Sequence, residues 1–327
     1  MADHADDNDS DENIFVYRGG APQHVNVTHV LIDKSVDEIE DMAFYLCFNL
    51  LQVETHDGIR KVGKNAFREN KSLGRINLKS AVEIDMYAFY NCVNLADVEF
   101  GDKLEIIGGS AFGWTSLTHV KLPSTITIGS CGFFRCESMI DIEFSERLEK
   151  IGASAFHGCK RLQRIAVPLK RDLFEFSETF QRYDQFNNCA QLTTVDLVGG
   201  IHKTVASLHM ESWRAEMLAE INRINQVLPN TMAISKTDAI QQWMGRVIDR
   251  MDHYKAEHYR YVKEGITLLE LALWKAKLGE KDNEDGSSEE RQTKKAKVDS
   301  ESARKERRIT CGADVVIKNV LPFLQLE

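Results

Sequence analysis

The chain has 327 residues, of which 43% are hydrophobic and 28% charged, which is ordinary globular usage and argues against a collagen-like or wholly disordered chain. Forty-one basic and 50 acidic side chains give a formal charge of −9, which disfavours a polyanion as partner of the whole surface. No run approaches about 18 uncharged apolar residues, so no transmembrane helix is expected, and the length suggests about two domains.

Residues 1–13 are expected to be an acidic, disordered N-terminus. Asp3, Asp6, Asp7, Asp9, Asp11 and Glu12 stand where a secretory signal needs a basic start and an apolar stretch. Asp7-x-Asp9-x-Asp11 fails as a calcium loop, because Glu12 replaces the glycine and Arg18 the closing glutamate. Seven cysteines, an odd number, read as reduced thiols and place the protein in the cytoplasm or nucleus.

From residue 14 to 200 the chain repeats itself. A small residue followed by Phe recurs at Phe44, Phe67, Phe89, Phe112, Phe133, Phe156 and, more weakly, Phe186, at intervals of 23, 22, 23, 21, 23 and 30 residues. Each unit continues with an alternating apolar segment, as in Ile76-Asn77-Leu78 and Val98-Glu99-Phe100, which marks a short strand with one face buried. An aliphatic residue lies four positions before each small residue (Ile39, Val62, Ile84, Ile107, Ile128, Ile151), often followed by a glycine that suggests a tight turn. A unit of about 23 residues cannot close its own core, so the strands must stack in parallel as a solenoid with the phenylalanines as an internal spine.

The pattern Leu-x-x-Ile-x-Leu...Ile-Gly-x-x-Ala-Phe-x-x-Cys-x-x-Leu resembles the BspA-like, or treponemal-type, leucine-rich repeat over about residues 24 to 197. That resemblance implies the same solenoid and a protein-binding or adhesive surface. Departures are local: Asn70 replaces Cys in the second unit, the fourth is one residue short between Phe112 and Leu117, and the last carries an insertion before Phe186.

Cys47, Cys92, Cys136, Cys159 and Cys189 share one repeat position. Rungs about 5 Å apart would bring Cys136 and Cys159 within disulfide reach; the competing reading is a small buried thiol that fills space, as Asn70 at the same position suggests. Without a Cys-x-x-Cys pair no zinc site is expected. His253 and His258 are i, i+5 on a helix, about 140° apart, and do not form a zinc-protease pair; His258 falls on an apolar stripe and is expected as a core histidine. Phosphate loops, nucleophile elbows and dinucleotide fingerprints are missing, so neither an enzyme nor a cofactor is expected.

If Ile76 and Leu78 point inward, Arg75 and Asn77 point outward. The same rule exposes Asp97 and Glu99, His119 and Lys121, Asp141 and Glu143, Arg164 and Ala166, and Thr194 and Asp196. This ladder, alternating in sign, is either a solvated face whose charges pair across rungs or an extended docking surface. Its candidate binding residues are Arg75, Asn77, Asp97, Glu99, His119, Lys121, Asp141, Glu143 and Arg164. The insertion 169–185 carries Phe174, Phe176, Phe180 and Tyr183, either packed on the solenoid edge or forming a lid.

Residues 201–279 change period. Met210, Trp213, Met217, Ile221, Ile224 and Leu228 predict one amphipathic helix, ended by Pro229. Ile240, Met244, Val247, Met251, Tyr254, His258 and Tyr261 predict a second, interrupted at Gly265 and resuming over Leu268–Leu278. The pair is expected as an antiparallel hairpin that caps the last repeat, with self-association through its apolar stripe as the alternative. Residues 280–308 read as a mixed-charge linker in which Lys294, Lys295 and Lys297 resemble a short nuclear-import signal. Residues 309–327 are too apolar to stay exposed and are expected to dock on the hairpin or on a partner.

The expected fold is therefore an α/β solenoid of leucine-rich repeats, with a parallel β-sheet and short helical turns, followed by an all-α helical hairpin domain. The expected function is that of a non-catalytic protein-binding scaffold or adaptor with a protein partner, no metal and no membrane. The alternative is a nucleic-acid- or chromatin-associated factor using the basic segment 291–308, disfavoured by interleaved acidic residues and by the lack of stacking aromatics.

Overall fold

A computed structural model describes residues 14–20, 26–175, 185–198 and 211–284. The first half contains β1 (Ile14–Tyr17), β2 (His29–Ile32), β3 (Glu38–Ile39), β4 (Gln52–Glu54), β5 (Lys61–Val62), β6 (Arg75–Leu78), β7 (Glu83–Ile84) and β8 (Asp97–Phe100). It continues with β9 (Ile106–Ile107), β10 (His119–Lys121), β11 (Thr127–Ile128), β12 (Asp141–Glu143), β13 (Lys150–Ile151), β14 (Arg164–Val167) and β15 (Thr194–Leu197). Two helices follow, α1 (Glu211–Val227) and α2 (Lys236–Glu284).

Each repeat thus supplies two strands, not one. The longer strands pair in parallel in three stretches, β1-β2-β4, β6-β8 and β10-β12-β14-β15, so the expected single sheet is interrupted twice. The two-residue strands form an unbroken second sheet, β3-β5-β7-β9-β11-β13, whose inward members are the aliphatic residues that precede each turn, such as Val62, Ile84 and Ile107.

Between the two sheets runs the aromatic column. Phe44, Phe67, Phe89, Phe112, Phe133, Phe156 and Phe186 are fully buried, with ring centroids 5.1 to 5.5 Å apart and planes within 13° of parallel. Tyr17 heads the column, 5.0 Å from Phe44. Phe100 and Phe144 meet Phe112 and Phe156 edge-on, adding the favourable quadrupole geometry that face-to-face stacking lacks.

The segment predicted as short helical turns is a run of tight turns that holds non-glycine residues in the left-handed region on both sides of the Phe: Met42 and Leu46, Asn65 and Glu69, Tyr87 and Asn91, Ser110 and Trp114, Cys131 and Arg135. That conformation costs roughly 1–2 kcal/mol per residue. It is offset by three backbone hydrogen bonds to the next rung, as from Asn65, Phe67 and Glu69 to the carbonyls of Met86, Ala88 and Tyr90 (3.0, 2.7 and 2.9 Å). The glycines ahead of these turns serve close approach, not a left-handed turn. A Cβ at Gly129 would stand 2.6 Å from the amide nitrogen of Gly109, and one at Gly152 2.4 Å from that of Ser130.

The chain divides into two units, the first comprising the solenoid with residues 212–248 and the second including residues 249–284. In the first, α1 and the start of α2 close the last rung. Thr237 Oγ1 accepts from the Phe186 amide (3.1 Å), Asn225 Oδ1 from the Val195 amide (2.8 Å), and the buried Lys236 ammonium donates to the carbonyls of Ala190 (3.1 Å) and Leu192. Met217, Ile224, Leu228, Ile240, Met244 and Val247 are buried as their spacing predicts. Trp243, outside that pattern, is buried too, its indole N–H bonded to the carbonyl of Glu220 (3.0 Å).

In the second unit two expectations fail. The helix runs through Gly265 without a break, because one glycine costs an established helix only about 1 kcal/mol. Tyr261 is exposed and His258 partly so, in place of the buried stripe expected. No described helix is long and apolar enough to cross a membrane.

Candidate protein-binding surface

The strand face presents its outward residues in register. His119, Val120 and Lys121 lie opposite Asp141, Ile142 and Glu143, and these opposite Arg164, Ile165 and Ala166. Arg75 and Asn77 lie opposite Asp97 and Glu99. Arg75, Asp97, His119 and Lys121 are exposed, and Asn77, Glu99, Asp141, Glu143 and Arg164 half-buried. Ala166 departs from the expectation and is buried.

Much of the ladder's charge is paired across rungs. His119 Nδ1 meets Asp141 Oδ2, Lys121 lies 3.4 Å from Glu143, and Arg164 donates to Asp196 at 2.6 Å. Glu99 takes its partner from the strand's end: the Lys79 ammonium is 2.8 Å away and holds the carboxyl below its ordinary range. Solvent screens such surface pairs, so the arrangement sets a charge pattern more than it stabilises the sheet. Arg75 and Asp97 form no ion pair among the described contacts and face solvent side by side.

Two further ladders escaped the sequence reading. On the second sheet Lys61 lies between Glu38 (3.6 Å), Glu83 (3.8 Å) and Asp85 (3.7 Å), which raise its pKa. On the turn face the guanidinium of Arg68 sits over Tyr45, Tyr87 and Tyr90 at 5.9, 5.4 and 5.3 Å, and that of Arg135 over Trp114 at 4.8 Å. His157 stacks on Phe134, and its burial, together with Arg135, lowers its pKa. Part of the signal was present at the position after the Phe, where Tyr45, Arg68, Tyr90, Phe134 and His157 stand, with Gly113 between Tyr90 and Phe134.

The cysteine column is packing with a polar contact at each of four thiols, and Cys136 has a second, its Sγ lying 3.2 Å from Thr115 Oγ1. The Sγ of Cys92, Cys136, Cys159 and Cys189 each points at the carbonyl of the preceding rung's Phe, at 3.0 to 3.2 Å, and all six described cysteines are free. Asn70 fits because its amide donates to the Phe44 carbonyl in the same way (2.7 Å). Burial drives the Cys92 thiol up to about 12, which removes the thiolate that metal binding or redox chemistry requires. No cluster of three or more His, Cys, Asp or Glu side chains fit to hold a metal forms among the described residues.

Leu173, Phe174 and Glu175 extend the second sheet beside Ile151, and Phe174 meets Phe186 edge-on at 5.8 Å, so this part of the insertion packs on the edge. Phe176, Phe180 and Tyr183 lie outside the described residues, as do Lys294, Lys295 and Lys297 with the whole basic segment 291–308 and residues 309–327.

The family model for the BspA type leucine-rich repeat region matches six copies over residues 21–137 and 105–222. The chain belongs to this family. Among solved structures it is similar to the leucine-rich repeat protein of T. pallidum, at 26% identity over 61% of this chain and 88% of that one, with a TM-score of 0.47. A leucine-rich repeat protein from Bacteroides ovatus matches at 19% identity, covering 53% of this chain and 55% of the other (TM-score 0.34). The pneumococcal vaccine antigen PcpA matches at 17% identity, covering 53% and 62% (TM-score 0.30). No curated protein matches. Leucine-rich-repeat solenoids are in general protein-interaction scaffolds with extended binding surfaces, and this chain has that fold.

Proposed function

We propose that the protein is an intracellular, non-catalytic adaptor whose docking surface is the strand face from β6 to β14. The carrying observation is the register within two stretches, β6-β8 and β10-β12-β14: outward side chains of paired rungs stand side by side, so charges of opposite sign, Arg75 beside Asp97 and His119 and Lys121 beside Asp141 and Glu143, are held on a fixed lattice. Such a pattern selects among partners and sets association rate more than affinity. Arg75 and Asp97, which form no ion pair among the described contacts, offer charge at little internal cost, and free, largely buried thiols suit a reducing compartment, cytosol or nucleus.

The test exchanges charges without losing the pair. The double variant Lys121→Glu/Glu143→Lys keeps an ion pair across the same rungs but inverts the local field. Proximity labelling with wild type and variant in the same cells is expected to lose a defined subset of neighbours in the variant. Identical sets from the two proteins would refute the strand face as the docking surface.

A further inference from the structure

The second unit contains an apolar surface that nothing described covers. Leu268, Leu269, Leu271, Leu273 and Trp274, within two turns of α2, are 67, 61, 53, 53 and 66% exposed. At about 100° per residue they point around most of the helix circumference, the pattern of a helix buried among others. An exposed group of large apolar side chains of this kind marks a site of association.

Gly265 gives this surface a centre. A glycine inside a helix weakens it relative to alanine, and here an added Cβ would meet nothing within 4 Å, so folding of this unit does not explain it. Within about 60° of Gly265 on the wheel lie His258, Tyr261, Val262, Leu268, Leu269 and Ala272. Glu257 and Lys275 flank this stripe on the same side.

We infer that this stripe of α2 is a self-association interface that pairs with the same stripe of a second copy of this chain, antiparallel. A two-fold pairing that sets Leu268 of each copy into the notch at Gly265 of the other places Glu257 of each beside Lys275 of the other, because flanks on the same side meet across such an axis. Glu257, which also lies 3.7 Å from His253 and 3.8 Å from Arg260 of its own helix, and Lys275 thus give the pairing one charge contact of opposite sign at each end. Trp274, on the far side of the helix, is left to contact further copies. The inference uses none of the strand-face residues and stands or falls separately from the adaptor reading.

Sedimentation of the full chain through the micromolar range is the experiment. Wild type is expected to show the mass of two chains or a higher even number. Leu268→Glu is expected to weaken association by roughly a hundredfold. Gly265→Ala is expected to raise helicity by circular dichroism while weakening association by roughly tenfold, because the added methyl fills the notch. The second substitution guards against loss of folding, since it favours the helix of the isolated chain. A single-chain mass for wild type overturns the inference, as does association that survives both substitutions. So does a monomer that associates only after removal of residues 309–327, which would make the chain's own end the occupant.

Discussion

The solenoid interior and the far half of α2 are both rich in large apolar side chains, yet the first hides them and the second displays them. Phe112 is fully buried between Phe89 and Phe133, whereas Trp274 is 66% exposed. Rungs cover one another within the chain, and the last finds its cover in Lys236, Thr237 and Asn225. No described residue follows the far half of α2 as a further rung. The same hydrophobic effect is satisfied internally in one region and, among the described residues, left unsatisfied in the other.

That contrast can be broken or sharpened by substitution. Phe112→Ala removes a ring from mid-column and is expected to cost ~3–5 kcal/mol in denaturant unfolding, independent of protein concentration. A concentration-dependent loss would mean that the column too is completed by a second chain. Lys236→Met strips the Ala190 and Leu192 carbonyls of their donor and is expected to cost about 1–3 kcal/mol; an unchanged midpoint would show that the last rung is not closed by this contact.

Smaller effects probe finer points. Cys92→Val is expected to be about 1 kcal/mol less stable than Cys92→Ser, since the serine hydroxyl still donates to the Phe67 carbonyl. In wild type Cys92 is expected to resist iodoacetamide at neutral pH until the chain unfolds, because its raised pKa leaves almost no thiolate, and a short alkylation pulse read by mass spectrometry measures this. The Lys121→Glu/Glu143→Lys exchange is expected to shift stability by less than ~0.5 kcal/mol. A larger shift would make the strand-face charges structural, closer to the column than to a docking surface.

What was legible in the sequence follows the same division. A period repeated many times betrays itself, so the Phe spine, the inward aliphatics and the shared cysteine position could be placed without coordinates. The second sheet could not, because a strand of two residues such as Lys61–Val62 carries no alternation to read. Tyr17 was missed because it lies 27 residues before Phe44 and is not Phe. Lys236 and Trp243 were missed because they serve a single junction, and a contact made once has no period. Of the candidate surface, the outward order of residues was legible, but the pairing of Glu99 with Lys79 was not, since Lys79 lies just beyond β6.

One regularity of the turns remains to be followed outward. In every described rung the turn amides donate toward the C-terminal neighbour, from Met42 to Lys64 through Gly158 to Asn187. The turn ladder is therefore polar along its length, opposite to the second sheet, where Gly63 and Gly108 donate back to Ile39 and Ile84, and a hydroxyl from Thr237 already accepts from its last amide. Its two ends are therefore chemically unlike, and a cap built for one end, such as Thr237, does not fit the other.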